Sequence, residues 1–140
     1  MDRQVIYLPV SPDGLVRVED LVERISPQTC LISIMHSNNE MGAIQPIEDL
    51  CQAAKSRFPD VLFHTDASQS VGKTEVSFRG LGVDMLTVAG HKLYAPKGVG
   101  ALVLREGTMI DKMMHGAGHE RGKVGQDAIW LAAFRISPRQ

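Results

Sequence analysis

Short apolar segments that alternate with amphipathic helical patterns are the feature of this sequence that most restricts its fold. The apolar runs occupy residues 5–10, 30–35, 61–63, 85–88 and 99–104. Residues 30–35, CLISIM, are continuously apolar or β-branched, which is typical of a strand covered on both faces. Residues 18–25 and 47–54 carry apolar side chains at helical spacing, with charged side chains between them. Strands that alternate with helices predict an α/β fold with a mostly parallel sheet flanked by helices.

Three of the predicted strands end in polar clusters. The clusters are residues 36–40 (HSNNE), residues 66–69 (DASQ) and the pair His91-Lys92. In open α/β sheets, ligands bind at the carboxyl ends of the strands. If these strands are parallel, all three clusters meet at one edge of the sheet. The order of the motifs therefore predicts a binding site at that edge.

Composition restricts the function classes. The chain has 140 residues and a formal net charge of −1, with both signs scattered, so neither nucleic acid nor an anionic membrane is an expected partner. No apolar run approaches the roughly 20 residues of a transmembrane helix, and the N-terminus lacks signal-peptide features. The two cysteines, Cys30 and Cys51, form no recognisable pair, which favours a reducing compartment. We expect a cytoplasmic protein, with mitochondria as the alternative.

Taken one at a time, the residues of the three clusters have ordinary structural interpretations. Lysines usually end in water, so Lys92 alone predicts a solvated loop; a lysine that forms a Schiff base needs a partly desolvated site. Asp66 alone predicts a helix cap or turn residue. Gln69 alone predicts a surface amide, and Asn39 a turn position. His36 is interpreted as a packed or turn histidine.

Together the clusters resemble the class V branch of the fold-type I enzymes that depend on pyridoxal 5′-phosphate (PLP). Within that branch they are similar to the cysteine desulfurases and selenocysteine lyases. Four segments carry the resemblance: residues 36–42 (HSNNEMG), 64–73 (HTDASQSVGK), 87–92 (TVAGHK, followed by GVG at 98–100) and 116–122 (GAGHERG). The resemblance implies that this chain is part of the large domain of such an enzyme.

The resemblance also implies roles for individual residues. Lys92 carries the cofactor as a Schiff base and is the catalytic residue, and His91 contacts the phosphate. Asp66 keeps the ring nitrogen protonated, which makes PLP an electron sink. Asn39 and Gln69 contact the phenolic oxygen of the cofactor. No metal ligand set is expected.

The resemblance covers residues 5–123, so residues 1–123 are expected to be a partial PLP-binding large domain. Residues 124–140 depart from the family pattern and are expected to be a divergent, helical tail. The sulfur-accepting cysteine of the family has no counterpart, because Cys30 lies in a predicted strand and Cys51 on a predicted helix. We therefore expect a central fragment that is inactive on its own.

The function implied is a PLP-dependent lyase or desulfurase. It acts on L-selenocysteine or L-cysteine, releases selenium or sulfur together with alanine, and works as a homodimer. The alternative is a catalytically inactive α/β interaction module, or a truncated isoform, that pairs with a full-length homologue.

Overall fold

A computed structural model describes residues 4–110 of the chain. In chain order its elements are α1 (Val18–Arg24), β1 (Leu31–Met35), α2 (Ile47–Arg57), β2 (Leu62–Asp66), α3 (Phe78–Leu81), β3 (Met85–Ala89), a 3-10 turn (Gly90–Lys92) and β4 (Gly100–Leu104). The four strands form one sheet in the order β1-β2-β3-β4. β1, β2 and β3 are parallel, and β4 runs antiparallel to β3. The predicted mostly parallel α/β sheet is therefore confirmed.

The core lies between one face of the sheet and the helices. Side chains that contribute to it are Leu21 of α1, Ile47, Leu50 and Ala54 of α2, and Ile32, Ile34, Phe63 and Leu86 of the sheet. Phe63, Leu50 and Ala54 are completely buried. Burying one large apolar side chain stabilises a fold by about 1.5–3 kcal/mol, so this interface holds the helices on the sheet. The spacing that predicted α2 corresponds to its buried stripe.

The opposite face of the sheet corrects one prediction. Along β1 the side chains alternate between exposed and buried, and Leu31 and Met35 remain 49% and 45% exposed. The described residues thus cover β1 on one face, and the prediction of a strand covered on both faces is wrong for them. Residues 30–35 predict continuous burial because Ser33, the one polar side chain that β1 places on the open face, is small.

Two predicted strand positions also change. Residues 5–10 form no strand, and Val5 and Tyr7 are exposed, so the predicted first strand is wrong within the part of the chain that is described. β2 continues past Phe63 to Asp66, because backbone pairing with β1 and β3 extends over the polar residues. Asp66 is therefore the last residue of a strand rather than part of the loop after it.

A buried carboxylate holds the amino ends of the strands. One oxygen of Asp84 accepts hydrogen bonds from the Lys55 ammonium at 2.7 Å and from the Phe63 backbone N–H at 2.8 Å. Its other oxygen lies 3.4 Å from Nε of Arg105. Asp84 thereby joins α2 to the sheet at the end opposite the predicted site. No helix within residues 4–110 has both the length and the apolar character needed to cross a membrane.

Candidate active site

The carboxyl ends of the three parallel strands lie side by side. Met35 at the end of β1 pairs with Asp66 at the end of β2, and Asp66 pairs with Thr87 of β3. β3 ends two residues later at Ala89, and the 3-10 turn that follows it contains His91 and Lys92. The predicted meeting of the three polar clusters at one edge of the sheet is therefore confirmed.

The two asparagines in the loop after β1 differ in their hydrogen bonding. The Asn38 side-chain oxygen accepts hydrogen bonds from the backbone N–H groups of Glu40 and Met41, both at 2.9 Å. An isolated antiparallel bridge between Ser37 and Ile44 closes the base of the loop. The Asn39 side chain is exposed and makes no hydrogen bond to any described residue. Asn38 thus stabilises the turn, while the Asn39 amide is available to a ligand.

The turn after β2 presents a carboxylate and an amide. One oxygen of the exposed Asp66 carboxylate accepts a hydrogen bond from the Ser68 backbone N–H at 2.9 Å. Asp66 therefore ends β2, and its side chain caps the turn that follows. Its second carboxylate oxygen makes no hydrogen bond within residues 4–110. The half-buried Gln69 accepts a hydrogen bond from the Lys73 ammonium at 3.2 Å through its side-chain oxygen.

The loop that carries the lysine is folded tightly around Gly90. The Gly90 N–H donates to the Val99 carbonyl oxygen at 2.8 Å, and the Gly90 carbonyl accepts from the N–H groups of Leu93 and Ala95. A Cβ atom at position 90 would lie 2.7 Å from the Val99 oxygen, closer than real contacts allow. The small residue before His91 is thus required by this packing. His91 and Lys92 are exposed, so residues 4–110 alone do not provide the desolvated surroundings that an activated lysine needs.

A buried hydrogen-bonded cluster joins the first two loops. Nδ1 of His36 lies 2.8 Å from the Ser70 hydroxyl, and the Ser37 hydroxyl lies 2.6 Å from the same oxygen. The His36 N–H also donates to the Asp66 carbonyl at 2.7 Å. Burial lowers the pKa of His36 because it disfavours the charged imidazolium. The interpretation of His36 as a packed histidine is confirmed.

Sequence reasoning missed the partner, Ser70. This serine is completely buried, as is Ala67 three residues before it. An i, i+3 pair of small residues after a strand is a local signal for an inward-facing turn. That signal does not identify the partner, because His36 is 34 residues away in the sequence.

A second histidine was also missed. On the open face of the sheet, Nδ1 of His64 lies 2.8 Å from the Ser33 hydroxyl, and Nε2 lies 2.9 Å from the Thr87 hydroxyl. This row crosses three strands beside Asp66. Burial lowers the pKa of His64, and the Asp66 carboxylate partly opposes this effect. The alternation of side chains along each strand predicts which of them lie on the open face of the sheet. Only the register between the strands shows that Ser33, His64 and Thr87 form one hydrogen-bonded row.

The turn after Gln69 also contacts the lysine loop. Gly72 has a φ of +78°, a conformation that favours glycine. A Cβ atom there would lie 2.7 Å from a methyl carbon of Leu93, the residue after Lys92. The three loops are therefore packed on one another.

The fourth motif, residues 116–122, and the predicted helical tail at 124–140 lie outside the described residues. Within residues 4–110, no group of three or more His, Cys, Asp or Glu side chains is arranged to hold a metal ion.

Comparison with known sequences decides the family. The family described as aminotransferase class-V matches residues 2–131, most of the chain. The chain belongs to the aminotransferase class-V family. The family resemblance inferred from the four sequence motifs is therefore confirmed.

Individual members of the class-V family give a finer comparison. A cysteine desulfurase IscS of Dictyoglomus turgidum is 48% identical over 120 residues, which are 86% of this chain and 30% of that protein. A solved structure of a NifS-like protein matches 85% of this chain and 33% of its own, with 42% identity and a TM-score of 0.81. A structure titled SspA in complex with cysteine matches 81% of this chain and 33% of its own, with 41% identity and a TM-score of 0.75. This class-V chain thus spans about a third of the length of proteins that it matches.

Proposed function

We propose that this chain forms the central part of the PLP site in a cysteine desulfurase-type enzyme. The observation that carries the proposal is the meeting of three polar clusters at the carboxyl ends of β1, β2 and β3. Among residues 4–110, the Asn39 amide and one Asp66 oxygen make no hydrogen bond, and Lys92 is exposed. In this proposal residues 1–123 belong to the large domain, and residues 124–140 are a divergent tail.

The chemistry of these side chains fits PLP. The cofactor carries a ring nitrogen that is stabilised by a carboxylate, a phenolic oxygen that accepts hydrogen bonds, a phosphate, and an aldehyde that reacts with an amine. Asp66 would contact the ring nitrogen, and Asn39 and Gln69 the phenolic oxygen. His91 would contact the phosphate, and Lys92 would react with the aldehyde. Gly90 lets the backbone before His91 lie against the Val99 carbonyl, which holds the lysine loop close to the sheet edge.

When bound, PLP supplies an electron sink for the pair of electrons left on the substrate's α-carbon. The residues of the chain position it and move protons. The Asp66 carboxylate stabilises the protonated ring nitrogen, while its other oxygen is fixed by Ser68. Lys92 would hold the cofactor through its side-chain amine, and the same amine would move protons at the substrate α-carbon.

We propose L-cysteine or L-selenocysteine as the substrate, with sulfur or selenium and alanine as products. The similarity to cysteine desulfurases, and to a protein solved in complex with cysteine, supports a chalcogen amino acid. The exposure of Lys92 and of the outer face of β1 indicates that further protein surface completes the site. A homodimer in which a second copy supplies part of that surface agrees with this exposure.

The same exposure favours one alternative. A catalytically inactive α/β module that pairs with a full-length homologue would also present an uncovered sheet face and a solvated Lys92. Such a module would bind its partner through the open face, where Leu31 and Met35 are about half exposed. Cofactor attachment distinguishes the two functions.

Reduction of the PLP-treated 140-residue chain with borohydride, followed by peptide mapping, tests the proposal. Attachment at Lys92 is expected, together with loss of the cofactor absorbance band in Lys92→Ala. Lys97→Ala is the matched control, because Lys97 is an exposed lysine of the same loop. An adduct spread over surface lysines, equally reduced by either substitution, would rule out a built PLP site in this chain.

A further inference from the structure

The buried cluster of His36, Ser37 and Ser70 connects two loops that the sequence treats as separate motifs. Ser70 is the hub, because both the His36 nitrogen and the Ser37 oxygen lie within 2.8 Å of its hydroxyl. Ser70 is completely buried and His36 is 5% exposed. A buried hydroxyl without a partner is costly, so these short contacts define one stable arrangement of the two loops.

The cluster belongs to the same two loops as the two amides assigned to the phenolic oxygen of PLP. Ser37 precedes Asn39 by two residues, and Ser70 immediately follows Gln69. Backbone bonds shorten the path further, since the His36 N–H donates to the Asp66 carbonyl. A change in the distance between the two loops therefore changes the separation of the Asn39 and Gln69 side chains.

We propose that His36, Ser37 and Ser70 are positioning residues that set the separation of the Asn39 and Gln69 amides and so control hydrogen bonding to one oxygen of the bound cofactor. The inference rests on the proposed PLP site and adds three residues that do not touch the cofactor themselves. Either tautomer of neutral His36 completes the cluster. If Nδ1 of His36 accepts, the Ser70 hydroxyl donates to it and the Ser37 hydroxyl donates to Ser70. If Nδ1 carries the proton, it donates to the Ser70 oxygen, and the Ser70 hydroxyl donates to Ser37.

Ser70→Ala is the direct test, because it removes both contacts and creates no steric conflict. Its matched control is Ser33→Ala, which also removes a serine hydroxyl 2.8 Å from a histidine nitrogen, but one located on the open sheet face. In Ser70→Ala we expect the absorbance band of the Lys92-bound cofactor to be displaced. We also expect a roughly tenfold loss of PLP affinity, because the loss of one hydrogen bond of ordinary strength changes a binding constant by about that factor. Ser33→Ala should leave the band in place.

Conservative substitutions test whether the cluster positions the two amides or only supports the fold. His36→Asn places an amide near the position of Nδ1, so it should retain the band of the unsubstituted chain. His36→Phe keeps the ring volume without the hydrogen bond, so it should reproduce the displacement seen in Ser70→Ala. If Ser70→Ala and His36→Phe lower the unfolding temperature but leave the band and the PLP affinity unchanged, the cluster only supports the fold and the proposal is wrong.

A measurement without cofactor distinguishes this inference from the proposed function. In the PLP-free 140-residue chain, the side-chain amide NMR signals of Asn39 and Gln69 should both move in Ser70→Ala and stay fixed in Ser33→Ala. A chain that shows this pattern but attaches no PLP at Lys92 would contradict the proposed function and retain the positioning cluster. Unmoved amide signals in Ser70→Ala would overturn the positioning role whether or not PLP binds.

Discussion

Replacing Thr65 with valine should stabilise the protein, although most core substitutions destabilise. Thr65 lies in β2 between Ile34 and Leu86 of the neighbouring strands. Its side chain is completely buried, and its hydroxyl oxygen has no hydrogen-bond partner among residues 4–110. Valine has nearly the same shape, with a methyl group in place of the hydroxyl. The substitution therefore removes an uncompensated polar group without opening a cavity.

The expected magnitude follows from the cost of burying an unpaired hydroxyl. Mutational data place that cost at about 1–3 kcal/mol, and an added buried methyl group contributes in the same direction. Small steric adjustments in a close-packed core offset part of the gain. We therefore expect the free energy of unfolding to rise by about 1 kcal/mol, which corresponds to an increase of roughly 4 °C in Tm for a domain of this size.

Urea unfolding of the 140-residue chain measures this change, with Thr87→Val as the matched control. Thr87 lies in the adjacent strand, and its hydroxyl is 2.9 Å from Nε2 of His64. Thr87→Val should lower the unfolding free energy by about 1 kcal/mol, because it leaves the histidine nitrogen without its partner. The reasoning fails if Thr65→Val is as destabilising as Thr87→Val, since the Thr65 hydroxyl would then have a partner of its own.

Three further predictions concern the sheet ends and the histidines. Asp84→Ala should lower the free energy of unfolding by about 3 kcal/mol in urea titrations, and by more than Lys55→Met, because it leaves the buried Phe63 backbone N–H unpaired and removes the carboxylate partner of the partly buried Lys55 ammonium. Burial lowers the pKa of His36 and His64, so the unfolded chain binds more protons below about pH 6.5. Thermal melts should therefore show stability falling from pH 7 to pH 5, with a shallower fall in His36→Asn. Gly90→Ala should increase protease cleavage within residues 91–99, because its Cβ displaces the facing carbonyl; unchanged cleavage would contradict that packing.

The arrangement of the sheet was predictable because its signals are local. Three apolar runs, each followed by polar residues, specify three strands and the edge at which they end. Helical spacing specifies α2 and its buried stripe. Exposure of the open face was not predictable, since Leu31 and Met35 have the apolar character of covered residues. An apolar run reports what a strand is suited to pack against, whereas burial also depends on what is present to cover it.

The candidate site was likewise predictable only where its signals are local in the sequence. Asn39, Asp66, Gln69, His91 and Lys92 were assigned from motifs contiguous in sequence, and their cofactor contacts stay predictions. The parallel order of the strands brings these motifs to one edge of the sheet. The hydrogen bonds that join the first two loops were not found, because His36 and Ser37 are 34 and 33 residues away from Ser70 in the sequence. No periodicity connects such pairs. Strand register and turn packing bring them together only after the sheet has formed.

The two ends of the sheet are held by different chemistry, and this difference bears on function. At the amino ends, charged contacts to Asp84 join a helix to the strands. At the carboxyl ends, neutral bonds among His36, Ser37 and Ser70 join the loops. A fixed buried charge near a cofactor that carries both a phosphate and a protonated ring would perturb both groups. Neutral bonds hold the loops without adding charge, so in the proposed PLP site the protonation of the ring would be set by the Asp66 carboxylate.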